Sequence, residues 1–350
     1  MAFLSLYGLQ AQVFEGTVYD AKTREMIPGV AVYLNRTSIY TTSDKDGNFK
    51  LVIDRNINTE LVFSHLSYET LVIAHPFDFS QKSFLLKEKV STLDEVKIVA
   101  DRVWFSREQM MGVFKEQFLG ESAAGKSCII LNEEDIVLNY DRTNRMLKGH
   151  SIQPILIENK YFAYHIIFDL HSFSIQYTGN TLSMDRATKV SFKGTSSYID
   201  QSPYNIMFKN RRDEIYLRSQ QYFWKNFVAN TLREAKFILY NRLARIEQSR
   251  YFVTVNTPSQ KSVLIIPDTN IRRSHDSVEE ERIYGVIGIL CNSRFRSEVV
   301  FLTSNFSVDE FGNPDAIDNL IYFGDMGKHR LGDMLPLNYT YNPPQTPRRR

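Results

Sequence analysis

The sequence predicts two β-rich parts: an N-terminal all-β sandwich, then an α+β, strand-rich domain with a central helical block. Three observations predict it. Between Val13 and Lys87, short runs of alternating apolar and polar residues are separated by Pro-Gly and Asp-Gly turns. Beyond residue 104 the apolar period changes from helical to alternating, then to helical and back again. The chain also carries 19 Tyr and 24 Phe in 350 residues, a ring content that suits pleated strands.

VFEGTVYD (13–20) alternates as a first strand, and AKTREMI leads to Pro28-Gly29. Pro presets φ and Gly accepts positive φ, so the pair predicts a turn before VAVYL. IYTTSDKDGNFKLVI then reads as strand, Asp-Gly turn and strand, and LVFSHL and TLVIA come next, around Ser67-Tyr68-Glu69. SFLLK (83–87) completes about seven strands, which bury their apolar faces only if two sheets pack together. STLDEVKIVADR (91–102) reads as a linker with a short strand.

FSREQMMGVFKEQFL (105–119) places Phe105, Met110, Met111, Phe114 and Phe118 at helical spacing. From Cys128 to Tyr177 the pattern is strand-like, through CIIL, PILIENKYFAYHIIFDL and FSIQY, and VSFKG continues the meander. A helical block spans about 210–236, and FILYN, YFVTV, SVLIIP, YGVIGIL and EVVFLT return to strands. FGNPD reads as a turn, and DMGKHRLGDMLPLNY as a short helix finishing at Pro336.

Composition narrows the function. A formal charge of +2 gives no basis for a nucleic-acid partner, and Arg348-Arg349-Arg350 read as the end of a solvated tail. No apolar run reaches the roughly 20 residues a spanning helix needs. Ala2 to Leu9 is apolar, and Leu9-Gln10-Ala11 leaves a small residue at a cleavage point, as in the end of a secretory signal whose basic start is missing; a first strand or a disordered tail is the alternative. No Cys stands just after that point, which argues against a lipid anchor. Cys128 and Cys291, far apart and without C-x-x-C spacing, read as buried free thiols, with pairing in an oxidising periplasm as the alternative.

The order of pieces in VFEGTVYD, PGVAVYL, SDKDGNFKL and LVFSHLSYE resembles the carboxypeptidase-regulatory-like domain, a prealbumin-type sandwich common in bacterial envelope proteins. The resemblance implies an envelope address and a prealbumin-like fold, with no chemistry of its own. Leu93, Glu95 and Val96 are similar to a short run found after such a sandwich in TonB-dependent receptors. The remainder of this chain is too short to encode a plug and a large barrel. FLGESAAGKSCIILNEED, NRRDEIYLRSQQYFWKNF and GDMGKHRLGDMLP resemble the region beside the sandwich in a family of envelope proteins that brings no established activity.

Gly120 to Ser127, GESAAGKS, matches the letters of a phosphate loop, which needs a strand before it and a helix after it. Here a predicted helix precedes the loop and CIIL comes after it, so the ATPase reading is rejected. A zinc carboxypeptidase needs His-x-x-Glu and a distant His, and none of the seven histidines has Glu three positions on. His65/Glu69 and His275/Glu279 have four-residue spacing, while His165 and His171 read as structural residues of the meander. Asp44-Lys45-Asp46-Gly47 resembles part of a calcium loop, yet alignment on Gly47 puts Thr42 and Ile53 where acids are required, so a hairpin turn is expected. No G-x-S-x-G occurs. Glu133, Glu134 and Asp135 read as acids at a helix start.

Within the helical block Tyr216, Phe223 and Phe227 share a face, whereas Tyr222 and Trp224 fall off it. Tyr222 and Trp224 are the candidate surface for a ligand or partner if exposed, but burial against the β-rich layer is the preferred expectation. No catalytic residue, metal or cofactor is expected. The domains expected are a signal remnant at 1–12, the sandwich at 13–88, a linker at 89–103, an α+β domain at 104–340 and a disordered tail at 341–350. The function expected is non-enzymatic: an interaction or accessory protein of the periplasm or outer membrane, contacting an envelope protein or a glycan or peptide ligand. The alternative is a periplasmic hydrolase of peptide or glycan with its site in the second domain.

Overall fold

The computed structural model describes residues 12–53, 56–78, 81–89, 104–241, 244–257, 260–266 and 283–342. The expected signal remnant up to residue 11, most of the linker with Leu93, Glu95 and Val96, the His275/Glu279 pair and the tail beyond 342 lie outside them. The chain forms two compact units, Met1–Pro203 with Arg330–Pro336, and Tyr204–His329 with Leu337–Arg350. The division falls inside the 104–340 stretch that the sequence reading treats as one domain.

The first unit begins with seven strands: β1 (Gln12–Asp20), β2 (Ala31–Leu34), β3 (Tyr40–Thr42), β4 (Asn48–Ile53), β5 (Leu61–His65), β6 (Tyr68–Ile73) and β7 (Ser83–Leu86). They form two sheets, β4-β1-β7 and β3-β2-β5-β6. Alternation in β4, with Phe49, Leu51 and Ile53 buried, puts one face into the core. Phe49, Phe63 and Phe84 meet there with ring centroids 4.4–5.5 Å apart. Beyond β7 the two sheets are joined by bonds from Glu69 N to Lys87 O and Lys89 N to Ser67 O. The Asp-Gly turn is as expected: Asp44 Oδ1 accepts from Asp46 N and Asn48 N, and Gly47 has φ of 70°.

A helix α1 (Arg107–Leu119) comes next, opened by a capping box in which Ser106 accepts from Gln109 N and the Gln109 side chain accepts from Ser106 N. Met110, Met111, Phe114 and Phe118 are its buried stripe. After the short α2 (Ala123–Lys126) come β8 (Cys128–Ile130), β9 (Ile136–Asp141), β10 (Met146–Ser151), β11 (Ile155–Asn159), β12 (Tyr164–Tyr177) and β13 (Ala187–Asp200). The long β12 organises this sheet: its first half pairs with β11, its second half with β10, and its other edge with β13. Phe114 and Phe118 pack on Phe173, Phe168 and Phe192 of β12 and β13, with centroids 4.8–5.2 Å apart.

In the second unit the helical block is two helices, α3 (Ile206–Tyr216) and α4 (Gln220–Ala229), because Ser219 caps a new N-terminus through a bond from Tyr222 N. One sheet runs β15-β14-β18-β19-β21: β14 (Phe237–Asn241), β15 (Ala244–Arg245), β18 (Gly285–Cys291), β19 (Phe295–Phe301) and β21 (Leu320–Gly324). The other runs β16-β17-β20: β16 (Phe252–Asn256), β17 (Lys261–Ile265) and β20 (Asn305–Val308). Phe223, Trp224 and Phe227 of α4 sit in the common core with residues of both sheets. Of the single helix expected to finish at Pro336, only α5 (Asp325–Lys328) is α-helical. Gly332 and Pro336 belong instead to the first unit.

Candidate functional site

The sandwich and the β12–β13 sheet of the first unit meet along a polar seam. It begins at the turn after β2, where Arg36 takes a left-handed φ of 60°. That conformation lets Arg36 N donate to Ser196 O (2.7 Å) while Tyr198 N donates to Thr37 O (2.9 Å). The turn thereby adds a short parallel bridge, Thr37 to Ser197, to the edge of β13. Asn35 Oδ1 accepts from Ser196 N at 2.8 Å, and the Tyr33 and Thr195 hydroxyls lie 2.9 Å apart. Asn35, Thr37, Thr195, Ser196 and Ser197 are all buried, so these bonds satisfy groups that would otherwise be costly to desolvate.

One acid and one histidine stand out along this seam. Thr70 of β6 donates to Asp169 Oδ2 at 2.7 Å, and His171 Nε2 lies 3.4 Å from the same oxygen. His171 is positioned by a bulge: Leu170 pairs with Gly194 and Ser172 with Lys193, leaving an extra residue in β12. Gly194 is what permits this close pairing, since a Cβ there would sit 2.2 Å from Asp169 O. Burial alone would raise the Asp169 carboxyl, but the bonds from His171 and Thr70 outweigh it and hold its pKa below the ordinary value. The bond to Asp169 raises His171 against the opposing effects of burial and of Lys89. His171 remains about half exposed, with side-chain accessibility of 47%.

An imidazole oriented by a carboxylate can move a proton at near-neutral pH. Nucleophilic catalysis needs a hydroxyl or thiol within reach of that imidazole. Among the described residues none is hydrogen-bonded to His171. The arrangement as it stands ties the sandwich to the neighbouring sheet. Sequence reasoning places His171 as a structural residue of the meander and misses its acid partner. Asp169-x-His171 within a strand is the available signal, and the bulge that makes it meaningful depends on Gly194.

Trp224, a candidate ligand-surface residue on the sequence, has 0% exposure and cannot present a face to a ligand. It packs on Phe223, Phe227 and Phe306 with centroids 4.8–4.9 Å apart, and its Nε1 donates to the Tyr322 hydroxyl at 2.6 Å. The reason is that Phe223, Phe227 and Trp224 fall within one arc of about 100° on α4, so a single buried face takes in all three rings. Tyr222 is half-buried beside Tyr216, Phe237 and Tyr341. The fold does not bring Tyr222 and Trp224 together on one open surface.

GESAAGKS is a helix-to-strand connection, with α1 before it, the one-turn α2 within it and β8 after it. Its glycines serve packing: a Cβ on Gly332 would lie 2.5 Å from Gly125 Cα, and one on Gly125 would lie 2.3 Å from Gly120 O. Ser122 donates to Asp333 Oδ1 at 2.6 Å, and Lys126 is exposed. Cys128 and Cys291 are free thiols, pushed up by burial to about 12 and about 11. Glu133 pairs with Lys115 at 2.5 Å, and the 133–135 acids form a 3-10 turn. Among the described residues no group of three His, Cys, Asp or Glu is placed to hold a metal, and no helix is long and apolar enough to cross a membrane.

Residues 14–98 match the family model of the CarboxypepD_reg-like domain. The chain thus carries an N-terminal carboxypeptidase-regulatory-like domain, and its described part is the strand-rich pair of sheets β1–β7. No curated protein is significantly similar to the chain.

Proposed function

We propose that the protein is a non-enzymatic interaction or accessory protein of the cell envelope, whose regulatory-like sandwich contacts an outer-membrane or periplasmic partner. The observation that carries this reading is the open edge of β4. Val18 N donates to Gly47 O, and hydrogen-bonded pairs alternate along an antiparallel ladder. Lys50 and Val52 therefore turn their N–H and C=O groups away from β1. No strand pairs with that side among the described residues. An extended partner segment can add there as a further strand. Val13 and Val52, opposite each other and both solvent-exposed, supply an apolar pair on the adjoining face. The apolar run at 2–9 with Ala11 supports export, and the domain type supports an envelope address.

The test is affinity capture of the tagged full chain from native envelope, beside a Val13→Glu/Val52→Lys variant. A stoichiometric envelope protein retained by the wild type and lost from the variant supports the reading. Equal retention by both removes the β4 face from it. The second reading, a periplasmic hydrolase of peptide or glycan, is favoured by the Asp169–His171 pair alone. Turnover of an envelope peptide or glycan that His171→Gln abolishes would replace the first reading with the second.

A further inference from the structure

The second unit has an edge of a different kind. β16 is the outer strand of the β16-β17-β20 sheet. Tyr251 O accepts from Ile266 N and Gln260 O accepts from Thr257 N, both in the register that pairs Val253 with Leu264. Alternation from these two bonds means that Val253 and Val255 bond to β17, while Phe252, Thr254 and Asn256 point their N–H and C=O groups to the open side. Among the described residues no strand covers that side.

The opposite edge of the same sheet is treated differently. Ser307 N of β20 donates to Asp315 Oδ1, Asp315 N donates to Ser307 O, and Val308 bridges Pro314. The chain's own turn therefore blocks β20. β16 lacks the devices that protect such edges: Phe252-Val253-Thr254-Val255-Asn256 has no charge, no Pro and no Gly. Val253, Val255, Leu264 and Ile266 are each 42–46% exposed and lie on one face of two neighbouring strands.

We propose that β16 is the edge through which two copies of this chain join, as an antiparallel pair centred on Thr254. The strand is self-complementary in that register. Thr254 falls opposite its own copy and Phe252 opposite Asn256, so all three residues with outward backbone groups meet one another. They exchange about six backbone hydrogen bonds across the axis. Val253 then faces Val255 of the other copy in a close, non-hydrogen-bonded pair, joining the two apolar faces. No like charges meet along the strand, and a two-fold axis closes the assembly at two. This proposal concerns a different unit from the β4 edge and does not depend on it.

The test is sedimentation of the full-length protein over a concentration series, with Thr254→Pro and Val255→Lys as variants. Pro at 254 removes a donor that faces the open side and takes no bond from the β17 ladder. Lys at 255 leaves every backbone bond and adds an edge charge. Circular dichroism checks that each variant is folded. The expected result is a wild type at twice the chain mass and both variants at the single mass. A wild type that stays single at every concentration overturns the proposal, as does a series of larger species or a dimer that persists in either folded variant.

Discussion

Thr70 and Asp169, 99 residues apart, share a 2.7 Å hydrogen bond that fastens β6 of the sandwich to β12 of the neighbouring sheet. Asp169 is largely buried, accepts from Thr70 and pairs with His171. Thr70→Val keeps the shape and removes the donor, leaving a buried carboxylate short of a partner. The expected loss is about 1–3 kcal/mol in urea unfolding of the full chain. A change within error would show that the seam does not hold the sandwich.

The same pair gives the seam a pH dependence. The folded pKa of His171 lies above its unfolded value, so its contribution is fully present below about pH 6.5 and is lost as pH rises through the raised value. Asp169 is shifted the other way, so its contribution is present above about pH 4 and is lost as pH falls through the folded pKa. The urea midpoints of wild type and His171→Gln should differ most near pH 6 and converge by pH 9. Curves that stay parallel across that range contradict the ion pair.

Gly194→Ala places a Cβ 2.2 Å from Asp169 O and closes the space the bulge requires. The expected cost is about 1–3 kcal/mol, with the His171 pKa, followed by NMR, falling toward its ordinary value. A variant with unchanged stability and unchanged His171 titration would show that the strand pairing tolerates the methyl group.

Trp224→Ala opens a cavity among Phe223, Phe227 and Phe306 and leaves the Tyr322 hydroxyl without its donor. Thermal or chemical denaturation should show a loss of about 3–5 kcal/mol. Near-wild-type stability would contradict the buried position of the ring.

How far the sequence reveals this arrangement depends on how local each signal is. The seven sandwich strands are legible because period-two alternation and the Pro28-Gly29 and Asp46-Gly47 turns act over a few residues. The break between α3 and α4 is within reach, since Ser219 is a capping residue, but the continuous helical composition hides it. The return of Arg330–Pro336 to the first unit is not legible: it rests on Gly332 meeting Gly125 and on Asn159 Nδ2 donating to Gly332 O. The seam is equally hidden, because Tyr33, Thr70, Asp169 and Thr195 are ordinary residues in their own strands. Burial of Trp224 is legible as the preferred expectation, because the ring lies within about 100° of Phe223 and Phe227 on α4, the width of an ordinary apolar stripe.

In the proposed function the sandwich, fastened to its neighbour on one side, offers the β4 edge to an envelope partner. Hydrogen–deuterium exchange of the full chain, with and without detergent-solubilised envelope, tests it most directly. New protection is expected at the Lys50 and Val52 amides, whose N–H groups face away from β1. Unchanged exchange at these two amides, with protection appearing around His171 instead, would contradict it.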